Sequence, residues 1–292
     1  MTSNQLVWVS KFEKCLFETI KRIGLPIQQY SAGRPLKRSL EVYTLAIVTK
    51  IRRDETYRSA EETSKIPKST LHRILSKLSQ AWIELVIEIT SSKLALQVQV
   101  DSQVLDSTGV SLSANGFKRK LEYDSYLKLH ALTVYYAKNH CIWFTQAKVT
   151  TCYVHDIKPA YEFIPMTKFN ACLLADKAYD SIKLYRLAFR QGLAVCMRQR
   201  KNCESRKGPR GEVYKQYDND FYRNHRGRVE SPFGTFAISY ASRVREKLLS
   251  NQEKVILLRV AIYNLKTTVK ILITLTYGTV SKHEYSLYIR KA

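Results

Sequence analysis

The hydrophobic period of this chain switches at Leu96, and the switch divides it into a helical first third and a mixed remainder. Before it, Phe12, Cys15, Leu16, Ile20 and Ile23 recur at three- and four-residue steps, one face of an amphipathic helix that Gly24 and Pro26 end. A second helix carries Leu40, Tyr43, Leu45, Ile47, Val48 and Ile51. Between the two lies SAGRPLKRS (31–39), a basic loop whose Arg34, Lys37 and Arg38 either touch phosphate or stay solvated. Residues 56–78, TYRSAEETSKIPKSTLHRILSKL, predict a short helix over 60–64, a break at Ile66 and Pro67, and a second helix capped by Ser69. Its Leu71, Ile74, Leu75 and Leu78 turn inward, and His72, Arg73, Ser76 and Lys77 face out. Short helix, tight turn and basic second helix form the helix-turn-helix pattern, whose second helix enters the major groove. Plain packing of a helical hairpin is the alternative; Arg73 and Lys77 are the candidate DNA contacts.

From Leu96 the period becomes two: Leu96, Val98 and Val100 alternate with Gln97, Gln99 and Asp101, as in a strand. YLKLHALTVYY (126–136) and CIWFTQAKVT (141–150) predict two more strands, paired antiparallel through a turn at 138–140. A helix over 158–163, a short buried strand over 171–175, a helix over 181–190 and a last strand over 193–197 complete the pattern. The tail after Ala241 reads as one long helix, with Val255, Leu257, Leu258, Val260 and Ile262 packing back on the core.

Charge points to the partner. With 48 Lys+Arg against 25 Asp+Glu, a formal net charge of +23 repels itself unless a polyanion or salt screens it. Nucleic acid is the commonest such polyanion, and neutralising its phosphates supplies most non-specific affinity. Hydrophobic content of 45% argues against wholesale disorder. The six cysteines (Cys15, Cys141, Cys152, Cys172, Cys196 and Cys203) show no CxxC pair or zinc-ligand spacing, and most sit among apolar neighbours where a free thiol packs like a small hydrophobe, so a reduced, intracellular protein is expected. The N-terminus has no signal-peptide pattern, and the apolar run 269–277 is too short to span a bilayer, so no membrane association is expected.

Three acidic residues stand apart: Asp106 in LDSTGV (105–110), Asp176 in LLADKAYDS (173–181) and Glu230 in RNHRGRVESPFG (223–234). The first two end apolar, strand-like runs. Hard divalent cations are held by carboxylate and phosphate oxygens, and a pair of them can clamp both oxygens of a phosphoryl transfer. Asp101 competes with Asp106 for the first position; five residues apart, the two would point to opposite faces of an unbroken strand, and the DST setting favours Asp106.

The ordered set of GRP, DSTGV, YLKLHALTVYY, VTTCYVHD, LLADKAYDS and a basic run ending in Glu resembles the DDE transposases of prokaryotic insertion sequences. That resemblance implies an α/β fold: an RNase H-like mixed sheet flanked by helices, preceded by an all-α helix-turn-helix-type domain. It places the helical DNA-binding region at 1–95 and the catalytic domain at 96–292, with a basic loop at 198–217 and C-terminal helices. It further implies that Asp106, Asp176 and Glu230 hold two Mg²⁺ or Mn²⁺ ions for cutting double-stranded transposon ends and joining them to target DNA. A homodimer on DNA and a cytoplasmic, nucleoid-associated location follow by the same analogy.

Matched residue by residue, Arg226, four before Glu230, takes the position of an Arg that grips the scissile phosphate. Relatives often carry a Tyr three before that Arg and a Lys seven after the Glu. Here Arg223 and Ala237 stand there, with Tyr222 one step out of register, so the Lys contact to DNA is either missing or supplied from elsewhere, with Arg243 a candidate. Pro232 and Gly234 predict a helix starting near Ser231, leaving Glu230 at its mouth. His155 either orients a metal-bound water or contacts DNA, and loop capping by Asp156 is the alternative reading of the pair; Asp180 reads as a helix cap or a supporting group. The basic stretch 198–216 supplies Arg200, Lys201, Arg206, Lys207 and Arg210 as a loop gripping the DNA backbone. A regulator with a helix-turn-helix, a decayed transposase that binds without cutting, and a different RNase H-like nuclease are the competing readings.

Overall fold

The structure is a computed structural model that describes residues 37–96, 98–112, 126–138, 140–200, 207–239 and 243–277, with scattered positions between 11 and 19. The predicted sites Arg34, Lys201 and Arg206, and Cys203, lie outside the described residues. The chain forms two compact units, residues 91–256 and residues 1–90 with 257–292.

In the unit that includes the N-terminus, α1 (Leu40–Arg52) and α2 (Tyr57–Ser64) precede α3 (Lys68–Lys77) and α4 (Gln80–Ala95). Local chemistry places each boundary. Thr56 caps α2 by accepting from the Ser59 N–H at 3.2 Å. Lys65 ends α2 in the left-handed region (φ 56°), its N–H donating to Glu61 O. Arg38 seals the same end, donating to the Ser64 and Lys65 carbonyls at 2.9 and 3.2 Å; a loop cation that the sequence leaves between phosphate contact and solvent is a helix cap. Pro67, not Ser69, precedes the first turn of α3, and no side chain caps it. The i, i+3, i+4 stripe Leu71, Ile74, Leu75 is buried, as that spacing predicts, and His72, Arg73 and Lys77 are exposed. From Leu257 on, the last helix groups with these helices. Asn264 there donates to Thr90 Oγ1 at 3.3 Å, and Arg259 pairs with Asp54 at 3.3 Å.

The other unit is built on a sheet of order β3–β2–β1–β4–β5, with β1 (Ser102–Leu112), β2 (Tyr126–Tyr136), β3 (Cys141–Thr151), β4 (Cys172–Ala175) and β5 (Val195–Met197). The first three strands are antiparallel; β4 pairs parallel to β1 and β5 parallel to β4. A two-residue β6 (Arg243–Val244) adds to the far end of β1. Parallel neighbours need crossovers, and these are α5 (Ile157–Met166) and α6 (Ile182–Arg190). Leu105, Leu132, Phe163, Ile164, Tyr185 and Val195 share the core they cover. The chain then continues through α7 (Gly208–Gln216), α8 (Asn219–Ser239) and α9 (Leu249–Tyr277). This is the RNase H-like order expected, a mixed sheet flanked by helices.

Two features differ from expectation. The alternation at 96–101 is not strand: α4 runs to Ala95, Leu96 is 89% exposed, and β1 begins at Ser102, where partners on both sides become available. Asp106 therefore lies inside β1 rather than at its end. The stretch read as a basic loop is helical from Gly208, with Lys207 as the residue before its first turn.

Candidate active site

Strand register brings the first two acids together. Leu105 pairs with Ala175 across the parallel β1–β4 ladder, the last pair before β4 ends. The next residue on each strand is Asp106 and Asp176. Each carboxylate is steadied by the backbone beside it: Asp106 Oδ1 accepts from the Ser107 N–H at 2.9 Å, and Asp176 Oδ1 from the Lys177 N–H at 2.6 Å. The latter bond caps a single 3-10 turn, Lys177–Tyr179, that follows β4. Asp101 is occupied elsewhere, its carboxylate accepting from the Ala137 N–H at 2.6 Å and its own N–H bonding Tyr135 O. It fastens the entry of β1 to the exit of β2.

Arg226 comes to this pair from α8. Its Nη2 stands 4.0 Å from Asp106 Oδ2 and 3.8 Å from Asp176 Oδ2, with about a fifth of the side chain exposed. One turn earlier on the same helix, Tyr222 is buried and donates its hydroxyl to the Ala175 carbonyl at 3.3 Å, directly before Asp176. Burial first, and neighbouring Asp176, push the Tyr222 hydroxyl up to about 12, against the pull of Arg226, so it remains a donor. The four-residue step from Tyr222 to Arg226 puts both on one helix face. Tyr222 is the tyrosine that stands one step out of the register expected from the resemblance. Glu230 continues the same step and lies within α8, not at its mouth: the helix runs through Pro232. Its side chain is outside the described residues.

The opposite face of the sheet carries a second polar group. Tyr179 is 3% exposed; burial, then Asp106, raise its hydroxyl above the ordinary value, and a hydrogen bond to Ser107 opposes the shift. His130 is buried, shares a 2.7 Å hydrogen bond with Thr150, and has Nδ1 3.6 Å from Asp156 Oδ1. Lys128 reaches the same Asp156 oxygen at 3.2 Å. The capping roles at 155–156 are reversed: His155 Nδ1 accepts from the Ile157 N–H at 3.3 Å, whereas Asp156 makes no cap bond. His155 is exposed at the surface.

Arg200 and Arg210 are engaged within the protein. Arg210 Nε donates to Asp180 Oδ1 at 3.1 Å, and the Arg200 guanidinium donates to the carbonyls of Lys177 and Ala178 at 3.1 and 3.0 Å. Lys207 is exposed at the start of α7. Asp180 is not the N-cap of α6, a position that Ser181 holds; it ends the 3-10 turn instead. Burial pushes the Cys172 thiol up to about 12, consistent with the packed, unreactive thiols expected.

Two carboxylates side by side supply the hard oxygen donors that a divalent cation takes. The Arg226 cation held against both oxygens shows that the position accepts positive charge. Among the described residues, no group of three His, Cys, Asp or Glu is gathered around one point. Nor, among them, is any helix long and apolar enough to cross a membrane.

The sequence matches the family described as transposase DDE domain over residues 101–265, more than half of the chain. No curated protein matches. Among solved structures, the chain is similar to the piggyBac transposase in a synaptic complex with hairpin DNA. That likeness has a TM-score of 0.54 at 10% identity, covering 98% of this chain and 78% of that one. At that identity it speaks to the fold alone.

Proposed function

We propose that this chain, which belongs to the transposase DDE domain family, cuts double-stranded DNA at the ends of a mobile element and joins the 3′ ends to target DNA. The observation that carries the reading is the pair Asp106 and Asp176, set side by side by strand register with Arg226 against both. An isolated acid at a strand end is ordinarily solvated surface; two on adjacent parallel strands repel each other and are retained where a cation is bound.

Asp106, Asp176 and Glu230 would hold two Mg²⁺ or Mn²⁺ ions, which supply charge stabilisation at the attacking and leaving oxygens. The chain's own residues do the rest. Tyr222 and the Lys177 N–H fix the backbone and carboxylate of Asp176. Arg226 offsets the mutual repulsion of the two acids and presents its planar fork to the scissile phosphate. In the cut, a water oxygen bonds to phosphorus as the bond to the 3′ oxygen breaks, leaving a 3′-hydroxyl. In the joining step that hydroxyl attacks a target phosphodiester, and the displaced target 3′ oxygen takes up a proton. No covalent bond to the protein forms.

In binding DNA, Arg73 and Lys77 on the exposed face of α3 serve as major-groove contacts. Lys207, His155, Arg34, Lys201 and Arg206 serve as backbone contacts. We place the protein with insertion-sequence transposases of prokaryotes, acting as a homodimer on DNA in the cytoplasm, on residues 1–95 for DNA binding and 96–292 for catalysis. The test incubates the protein and labelled duplexes copied from the DNA flanking its gene with a target plasmid in Mg²⁺ or Mn²⁺. End cleavage with joining is the expected result. Cleavage without joining would mark a structure-specific nuclease, and binding without cleavage a regulator or a decayed copy.

A further inference from the structure

We propose that Asp180 is a positioning residue for Asp176, clamped through Arg210 and Arg200, so that the basic segment after β5 sets the geometry of the metal-binding carboxylate. The inference rests on Asp106 and Asp176 forming the cutting site.

The Asp180 side chain is fully enclosed, and Arg210 beside it is 17% exposed. A carboxylate taken out of water is retained only when its oxygens are well supplied with donors. Asp180 accepts from Tyr185 Oη at 2.9 Å, the Arg200 N–H at 2.9 Å and Arg210 Nε at 3.1 Å. None of these partners belongs to the helix that follows it closely enough to be a cap. The bonds tie three separate segments, α6, the chain after β5, and α7, to the residue that ends the 3-10 turn. Arg200 then closes the loop: its main-chain N–H binds Asp180 while its guanidinium holds the Lys177 and Ala178 carbonyls. Those are the carbonyls of the turn whose first N–H is fixed by Asp176 Oδ1. A turn of three residues has only two backbone bonds of its own to hold its shape, Tyr179 N–H to Asp176 O at 2.9 Å and Asp180 N–H to Lys177 O at 3.2 Å. Asp176 sits at its head, 45% exposed, with its carboxylate held by this turn and by Arg226. The clamp is the element that makes the turn rigid. Two of the arginines expected to grip DNA are thus committed to holding the site.

The test uses full-length protein with Asp180→Asn, which keeps shape and loses the charge, and Arg210→Gln. Mn²⁺ binding is followed by electron paramagnetic resonance without DNA, duplex binding is titrated against salt, and thermal unfolding checks the fold. Groups that orient a metal ligand are worth 10–100-fold in metal affinity. Both variants should therefore weaken Mn²⁺ binding by about tenfold or more, while duplex affinity stays within about twofold, and Arg210→Lys should restore little because it lacks the Nε geometry. Unchanged Mn²⁺ binding together with weaker, less salt-dependent duplex binding would overturn the proposal and make Arg210 a DNA contact. If Asp180→Asn does not fold, Arg210→Lys and Arg210→Gln carry the test. Failure of the underlying reading has a different signature: Asp176→Asn would then bind Mn²⁺ as well as the wild type does.

Discussion

His130 shows how one buried side chain records its surroundings. Removal from water is the largest influence on it and drives its pKa down to about 4 from the ordinary 6.5; Asp156 pulls the other way, and Lys128 and Lys148 add to the fall. A histidine so depressed is neutral at pH 7. Between these two values the unfolded chain binds the proton more tightly than the folded one, so stability rises with pH across that window. It is fully present above about 6.5 and is lost as pH falls toward 4. Thermal melts at stepped pH should show that rise, and His130→Gln should flatten it. Tyr222 offers a second residue-scale check. Tyr222→Phe deletes the hydrogen bond to the Ala175 carbonyl and should cost about 1 kcal/mol in denaturant unfolding. The sequence marks Tyr222 only as a tyrosine one step out of register, and His130 not at all. His130 is one alternating position in a strand, and its role exists only because Thr150 and Asp156 are brought to it from β3 and the segment beyond.

At the scale of the element, boundaries set by local chemistry were legible and those set by pairing were not. β2 occupies the residues its alternation predicts, 126–136, and β3 differs from its expected end by one residue. Pro67 and the left-handed Lys65 punctuate the hairpin of α2 and α3 as a Pro and a turn residue should. The alternation at 96–101 misled because three apolar residues in period two carry no information about a partner; β1 starts where β2 and β4 lie alongside. Pro232 misled in the opposite sense, since α8 is long enough to run through it. The hairpin yields two predictions. Lys65→Gly relieves a left-handed non-glycine backbone and should stabilise the fold by roughly 0.5–1 kcal/mol in thermal unfolding. Arg73→Ala and Lys77→Ala should each weaken duplex binding and lower the salt dependence by about one counterion; an unchanged slope would assign α3 to packing rather than DNA.

For the whole molecule, a net charge of +23 and one carboxylate pair are complementary parts of a single account. The charge brings a polyanion to the surface, and binding should weaken steeply with salt whatever the duplex sequence. In the proposed function, the pair supplies the chemistry. The order of motifs along the chain made the family and the two strand acids readable, because both acids follow the same ladder of β1 against β4. The sequence marks Tyr222 and offers Asp180 as a cap or supporting group, but the partners that they and the two clamping arginines meet were not readable, because only the folded chain creates those contacts. The most direct test compares wild type with Asp106→Asn and Asp176→Asn on flanking-DNA duplexes in Mn²⁺, scoring binding and strand cleavage together. The account predicts cleavage by wild type and its loss, by at least about a thousandfold (~4 kcal/mol of barrier), in both variants with duplex affinity preserved. Cleavage that survives either substitution would contradict it.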